Sequence, residues 1–98
     1  MFIGYEQVAV TNAVQTAAAL TIPASTTHVQ IQAETRDVRY TMDGTDPTAT
    51  TGMIFAATAP EPLYEFLSED LHRIRFIADG GGQGDPLLNF HYSTGRVV

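Results

Sequence analysis

From His28 to Glu34 the side chains alternate in character, with Val29, Ile31 and Ala33 on one parity and Gln30, Gln32 and Glu34 on the other. Successive residues of a strand point to opposite faces, so this rhythm describes a half-buried strand and cannot form the apolar stripe of a helix. The rhythm recurs: Val38, Tyr40 and Met42 alternate with Arg39 and Thr41; Ile74, Phe76 and Ala78 with Arg73, Arg75 and Ile77; Leu88, Phe90 and Tyr92 with Asn89, His91 and Ser93. Weaker Thr/Ala/Val segments over residues 7–11 and 16–22, and short runs over 52–57 and 62–66, extend the series. Strands at roughly 8–12-residue spacing with turn signals between them imply an all-β fold. The expected form is a small antiparallel β-sandwich or barrel, jelly-roll or immunoglobulin-like, of about 7–8 short strands. Thirteen threonines suit such pleated surfaces better than they suit helices.

Only Thr35, Arg36 and Asp37 separate the first two strong runs, which predicts a tight hairpin there. Residues 79–86, rich in glycine, predict a second hairpin loop. The alanine-rich residues 13–20 admit a helix capped by Asn12, but the flanking Thr11, Thr16 and Thr21 favour a small-residue strand. Ser68 is placed to cap one helical turn, with Glu69 and Asp70 at its start. The organisation read from this pattern is a single domain over residues 7–98, preceded by an apolar arm over residues 1–6. That arm either pins onto a neighbouring subunit or frays.

A chain of 98 residues leaves much of its surface exposed, and small domains usually need reinforcement. Cysteine is absent, which removes disulfides and Cys-based zinc sites, so partner chains are the first source of added stability to consider. The net charge is −6, and all five basic residues are arginines (Arg36, Arg39, Arg73, Arg75 and Arg96). Without a basic face, binding to nucleic acid or to an anionic membrane is not expected. Arginine without lysine matches the composition of protein interfaces. No apolar run reaches the length of a membrane span, and the first residues lack the positive region of a signal peptide. Synthesis and assembly in a cytoplasm are therefore expected.

The residues that carry chemistry are few. Asp43 and Asp46, in the loop of residues 43–48, could hold calcium, but an EF-hand needs a bidentate Glu where Ile54 stands. The competing reading is a turn, with positive φ at Gly44, an Asx-turn at Asp46 and Pro47 fixing the exit. His28, His72 and His91 lack metalloenzyme spacing, and His28 and His91 fall on the solvent parity. Ser25, Ser68 and Ser93 have no triad context, and the glycine run of residues 80–84 lacks the Lys-Ser/Thr ending of a phosphate loop. Tyr40 and Tyr92 belong to the apolar parity, leaving Tyr5 and Tyr64 as a thin sugar platform in a chain without tryptophan. No catalytic residue, cofactor or metal is expected.

The segment Val38-Arg39-Tyr40-Thr41-Met42-Asp43-Gly44-Thr45-Asp46-Pro47-Thr48 resembles a strand and turn of the accessory β-domain of chitobiase-type glycosidases. It also resembles small virion proteins of tailed bacteriophages over a longer stretch. That stretch takes in the Thr/Ala-rich opening, Ile22-Pro23-Ala24, residues 28–34 and 38–48, Thr51-Gly52-Met53 and Ile74-Arg75-Phe76-Ile77-Ala78, in the same order. The resemblance implies a non-enzymatic virion structural protein, assembled in the bacterial host cytoplasm. The expected role is a capsid decoration (cement) protein bound to the major capsid protein as a homo-oligomer or multicopy array. A head–tail or tail component and a host-glycan-binding module are the alternatives. Expected partner contacts are Phe2, Ile3 and Tyr5 in the arm, Asp43, Thr45 and Asp46 in the loop of residues 43–51, and Pro60, Pro62, Tyr64 and Phe66 in residues 59–67.

Overall fold

The computed structural model describes residues 1–58, 62–80 and 84–95. Among them the chain forms eight strands: β1 (Phe2–Ala9), β2 (Gln15–Thr16), β3 (His28–Glu34), β4 (Val38–Thr41), β5 (Met53–Phe55), β6 (Tyr64–Leu67), β7 (Arg75–Ala78) and β8 (Leu87–Ser93). A 3-10 turn, Ala17–Ala19, and a single-turn helix, α1 (Ser68–Leu71), are the helical pieces. The strands make two four-stranded sheets, ordered β1-β8-β3-β6 and β2-β7-β4-β5, with every pairing antiparallel. This is the expected all-β sandwich.

The alternating parities meet in one core. Val29, Ile31 and Ala33 of β3 and Leu88, Phe90 and Tyr92 of β8 face Val38 and Tyr40 of β4 and Phe76 and Ala78 of β7. Burying each large side chain of this set contributes about 1.5–3 kcal/mol. One end is sealed by aromatic rings from both sheets. Tyr40 stacks on Phe55 at 3.7 Å between centroids, and Tyr64 and Phe66 meet Phe55 edge-on at 5.2 and 6.0 Å. The Tyr64 hydroxyl accepts the Ala56 N–H at 3.1 Å, which satisfies its polar tip.

The two short connections do not make hairpins. β3 and β4 lie in different sheets, as do β7 and β8, so the two connections are arches that carry the chain across the sandwich, residues 81–83 of the second lying outside the described residues. Thr35 adopts φ 75° to make the first crossing. Arg36 ties the two arches together, donating from Nε to the Asp79 carbonyl (2.7 Å) and from Nη1 to the Gly84 carbonyl (3.1 Å). Alternation shows which side chains point inward but not which strand lies alongside, so it could not separate an arch from a hairpin.

The expected arm is also absent. Residues 2–9 form the outer strand of the first sheet, paired with β8 from Phe2 opposite Ser93 to Ala9 opposite Leu87. The Met1 ammonium donates to the Thr94 carbonyl at 2.8 Å. An irregularity between Phe2 and Gly4 accompanies Ile3 packing on the core, and a Cβ at Gly4 would stand 3.1 Å from Pro23 Cγ. Glu6 follows on the core-facing parity of this edge strand. Its carboxylate accepts the Thr21 N–H (2.7 Å) and the Tyr92 hydroxyl. Burial, then the bond to Glu6 and its charge, push the Tyr92 phenol far above its ordinary range, so it remains a donor. An inward-pointing charge on an edge strand discourages pairing with another chain.

Residues 16–22 do not continue as a strand. After Gln15–Thr16 the chain takes the 3-10 turn, and Thr16 Oγ1 accepts the Ala18 N–H at 3.3 Å. Three consecutive alanines offer no branched side chain to hold a pleat. In α1 the N-cap position belongs to Leu67, without a side-chain bond, and Ser68 is the first helical residue.

Candidate functional site

The outer face of the first sheet is built row by row from the strand register. Tyr5 lies opposite His91, His91 opposite Gln30, and Gln30 opposite Glu65. In the next row Gln7 lies opposite Asn89, and Asn89 opposite Gln32. One hydrogen-bond network runs over this surface. Asn89 Oδ1 accepts the Tyr5 hydroxyl (2.6 Å) and Gln7 Nε2 (3.0 Å), while Glu34 Oε2 accepts Asn89 Nδ2 (2.7 Å) and Gln7 Nε2 (3.1 Å). Phe2 stacks on His91 at 3.6 Å and nearly parallel, and Tyr5 meets the same imidazole edge-on at 6.3 Å. A shallow depression of about 270 Å³ is lined by Tyr5, Gln30, Gln32, Glu34, Leu63, Asn89 and His91. No strand of this sheet contains an arginine or lysine.

The outer face of the second sheet differs. Arg39 lies between Ile77 and Ile54, and its guanidinium bonds Asp79 Oδ2 (2.7 Å) and the Gly52 carbonyl (3.1 Å). Arg75 pairs with Asp46 of the β4–β5 loop. Beside it lies an open cleft of about 400 Å³ bordered by Ala17, Ala18, Gly44, His72 and Arg73. β5 closes this sheet as an edge strand, with Met53 64% and Ile54 39% exposed.

The expected contact residues are not one site. Phe2 and Tyr5 stand on the outer face of the first sheet, whereas Ile3 packs on the core. Tyr64 and Phe66 are also partly buried against the core, and Leu63, Glu65 and Leu67 hold the exposed positions around them. Both parities of residues 63–67 are largely apolar, which left the inward one unmarked. Pro62 is exposed, and Pro60 lies outside the described residues.

Asp43 and Thr45 form the exposed turn at Gly44, whose φ is 88°. The Asx-turn belongs to Asp43 rather than Asp46: its Oδ1 accepts Thr45 N–H (3.1 Å) and Oγ1 (2.6 Å). Those two bonds, the hydroxyl first, hold the Asp43 carboxyl below its ordinary range. Asp46 is turned to Arg75, so the two aspartates do not converge. Among the described residues no group of three His, Cys, Asp or Glu is placed to hold a metal ion, and no helix is long and apolar enough to cross a membrane.

No family model, no curated protein and no solved structure matches the chain.

Proposed function

We propose that this chain is a non-enzymatic structural protein of a tailed-phage virion, a decoration protein seated on the shell of major capsid protein. The reading rests on the ordered resemblance along the chain. The observation that carries it is the β5 edge. Met53 and Ile54 stand exposed on a three-residue edge strand, beside the exposed turn of Asp43 and Thr45. Such an edge offers backbone hydrogen bonds and alternate side chains to a partner strand. Apolar side chains placed there form the centre of a contact rather than its rim.

A contact of this size is weak for one copy. A shell presents many identical sites, and repeated display makes occupancy high without any larger interface. The outer face of the first sheet takes no part in this edge contact.

A mass-spectrometric inventory of purified virions, with copy number relative to the major capsid protein, tests the reading. Copies on the scale of the capsid protein support decoration. A handful of copies assigns the chain to the head–tail junction or tail. Absence from the particle overturns the proposal. On particles stripped of the protein, Met53→Asp should rebind much less than the unaltered chain.

A further inference from the structure

The outer face of the first sheet has features that neither the fold nor shell docking requires. We infer that it is a binding site for a neutral, hydroxyl-rich oligosaccharide, seated in the depression between Tyr5 and Leu63.

Three observations lead there. The first is hydrogen-bonding capacity held in place. Asn89 and Gln7 each use donors on Glu34, and Asn89 also fixes the Tyr5 hydroxyl, so these groups are oriented before any ligand arrives. An amide offers two donors and an acceptor with two lone pairs, and a carboxylate has two acceptor oxygens. The network therefore leaves the Gln7 carbonyl and the second Glu34 oxygen as acceptors. The Gln30 amide beside them makes no hydrogen bond among the described residues. A sugar hydroxyl both donates and accepts, and adjacent hydroxyls match such a mixed, fixed array. Removing one partner of an oriented polar set forfeits more than an average surface contact.

The second observation is the aromatic step. Phe2 lies flat on His91, and Tyr5 stands edge-on to the same ring while 61% exposed. The face of an aromatic ring is electron-rich and attracts the weakly positive C–H groups of a sugar's apolar side. The depression, about 270 Å³, is open and falls just under the volume of enclosed ligand cavities, with no element of the described chain across it.

The third observation is charge, and it selects among sugars. Glu34 lies on this face, its four strands hold no arginine or lysine, and the whole chain carries −6. Sialylated, sulfated or uronic-acid glycans would meet like charge, so the ligand is neutral. The same balance argues against an acidic protein partner. A face of amides without arginine also differs from the arginine-rich composition of protein interfaces.

The site does not depend on where the chain sits, so its test is separate from the virion inventory. The full chain is screened on an array holding neutral, sialylated and sulfated glycans. It is then titrated by heteronuclear NMR with the neutral hits, and with maltotriose and N,N′-diacetylchitobiose as fixed probes. Binding of neutral glycans is expected, with shifts centred on Tyr5, Gln30, Gln32, Asn89 and His91. Tyr5→Ala should weaken it about tenfold, and Asn89→Ala about fivefold. Both variants should keep the wild-type spectrum elsewhere, and Met53→Asp on the other sheet should bind sugar normally. Absence of any neutral-glycan binding overturns the inference. So does binding restricted to anionic glycans, or binding that Tyr5→Ala leaves unchanged. Loss of capsid attachment in Tyr5→Ala, without sugar binding in the parent, would instead make this face the shell contact.

Discussion

On the second sheet the outward arginines are already engaged within the chain: Arg39 holds Asp79 and the Gly52 carbonyl, and Arg75 holds Asp46. Between them Ile77, although on the outward parity, is only 8% exposed, with the aliphatic stem of Arg39 lying opposite. On the first sheet the outward side chains include amides, glutamates, histidines, a tyrosine and a phenylalanine, and the network among Tyr5, Gln7, Glu34 and Asn89 lies above strands whose inner faces already complete the core. One face therefore uses its polar groups to hold loops and cover apolar surface. The other carries an ordered polar network that closes no loop of the sandwich. Polar order without a structural need is what the proposed sugar site on the first face rests on.

The largest test removes the element that joins the faces. Phe55 is fully buried where the aromatic rings of both sheets meet. Phe55→Ala should cost about 3–5 kcal/mol, read as a lowered denaturation midpoint. Hydrogen exchange should rise first around β4, β5 and β6, whereas the β1-β8-β3 pairing under the amide network should keep its protection longer. Equal loss of protection in all strands would mean the two sheets do not differ in local stability.

Next in size is the arginine clamp. The side chains of Arg39 and Asp79 are 21% and 16% exposed, so their ion pair is partly shielded from water. Arg39→Ala removes that pair, the bond to Gly52 and the cover over Ile77, and should cost about 2 kcal/mol by denaturant titration. Asn89→Ala on the opposite face takes away three hydrogen bonds rather than two, but water reaches its partners, so about 0.5–1 kcal/mol is expected. If Asn89→Ala proved the more damaging, the amide network would be structural and its assignment as a binding face would fall.

The same contrast explains what was legible in the sequence. Strands β3, β4, β7 and β8 could be read because each sets apolar against polar side chains at period two, and their inward residues are those expected. Connectivity was not legible, because an arch and a hairpin have the same short linker. What decides is a long-range set of bonds from Arg36 to Asp79 and Gly84. Nor was β1, whose Ile3, Gly4 and Glu6 all face inward against any simple rhythm, through an irregularity and a carboxylate paired to Tyr92. The amide face was legible only in parts. Gln30, Gln32, Asn89 and His91 were on the solvent parity, but Tyr5 and Gln7 join them only once β1 is laid beside β8.

The smallest effect sits at the rim of the second sheet. Asp43 is fully exposed, yet the Thr45 hydroxyl and N–H hold its carboxyl below the ordinary aspartate range. Its folded value lies under its unfolded one, so the turn gains from the ionised form above the unfolded value. That gain is lost as pH falls through the folded value. An NMR titration should therefore show the Thr45 amide signal moving with a midpoint below that of an unstructured aspartate. Thr45→Ala removes the hydroxyl donor and keeps the N–H, so the midpoint should rise without returning fully to the ordinary value. The amides of Gln30 and Asn89, on the other sheet, should not share that midpoint. If they moved together, the turn and the amide face would be coupled through the core, and the two surfaces could not act independently on shell and sugar.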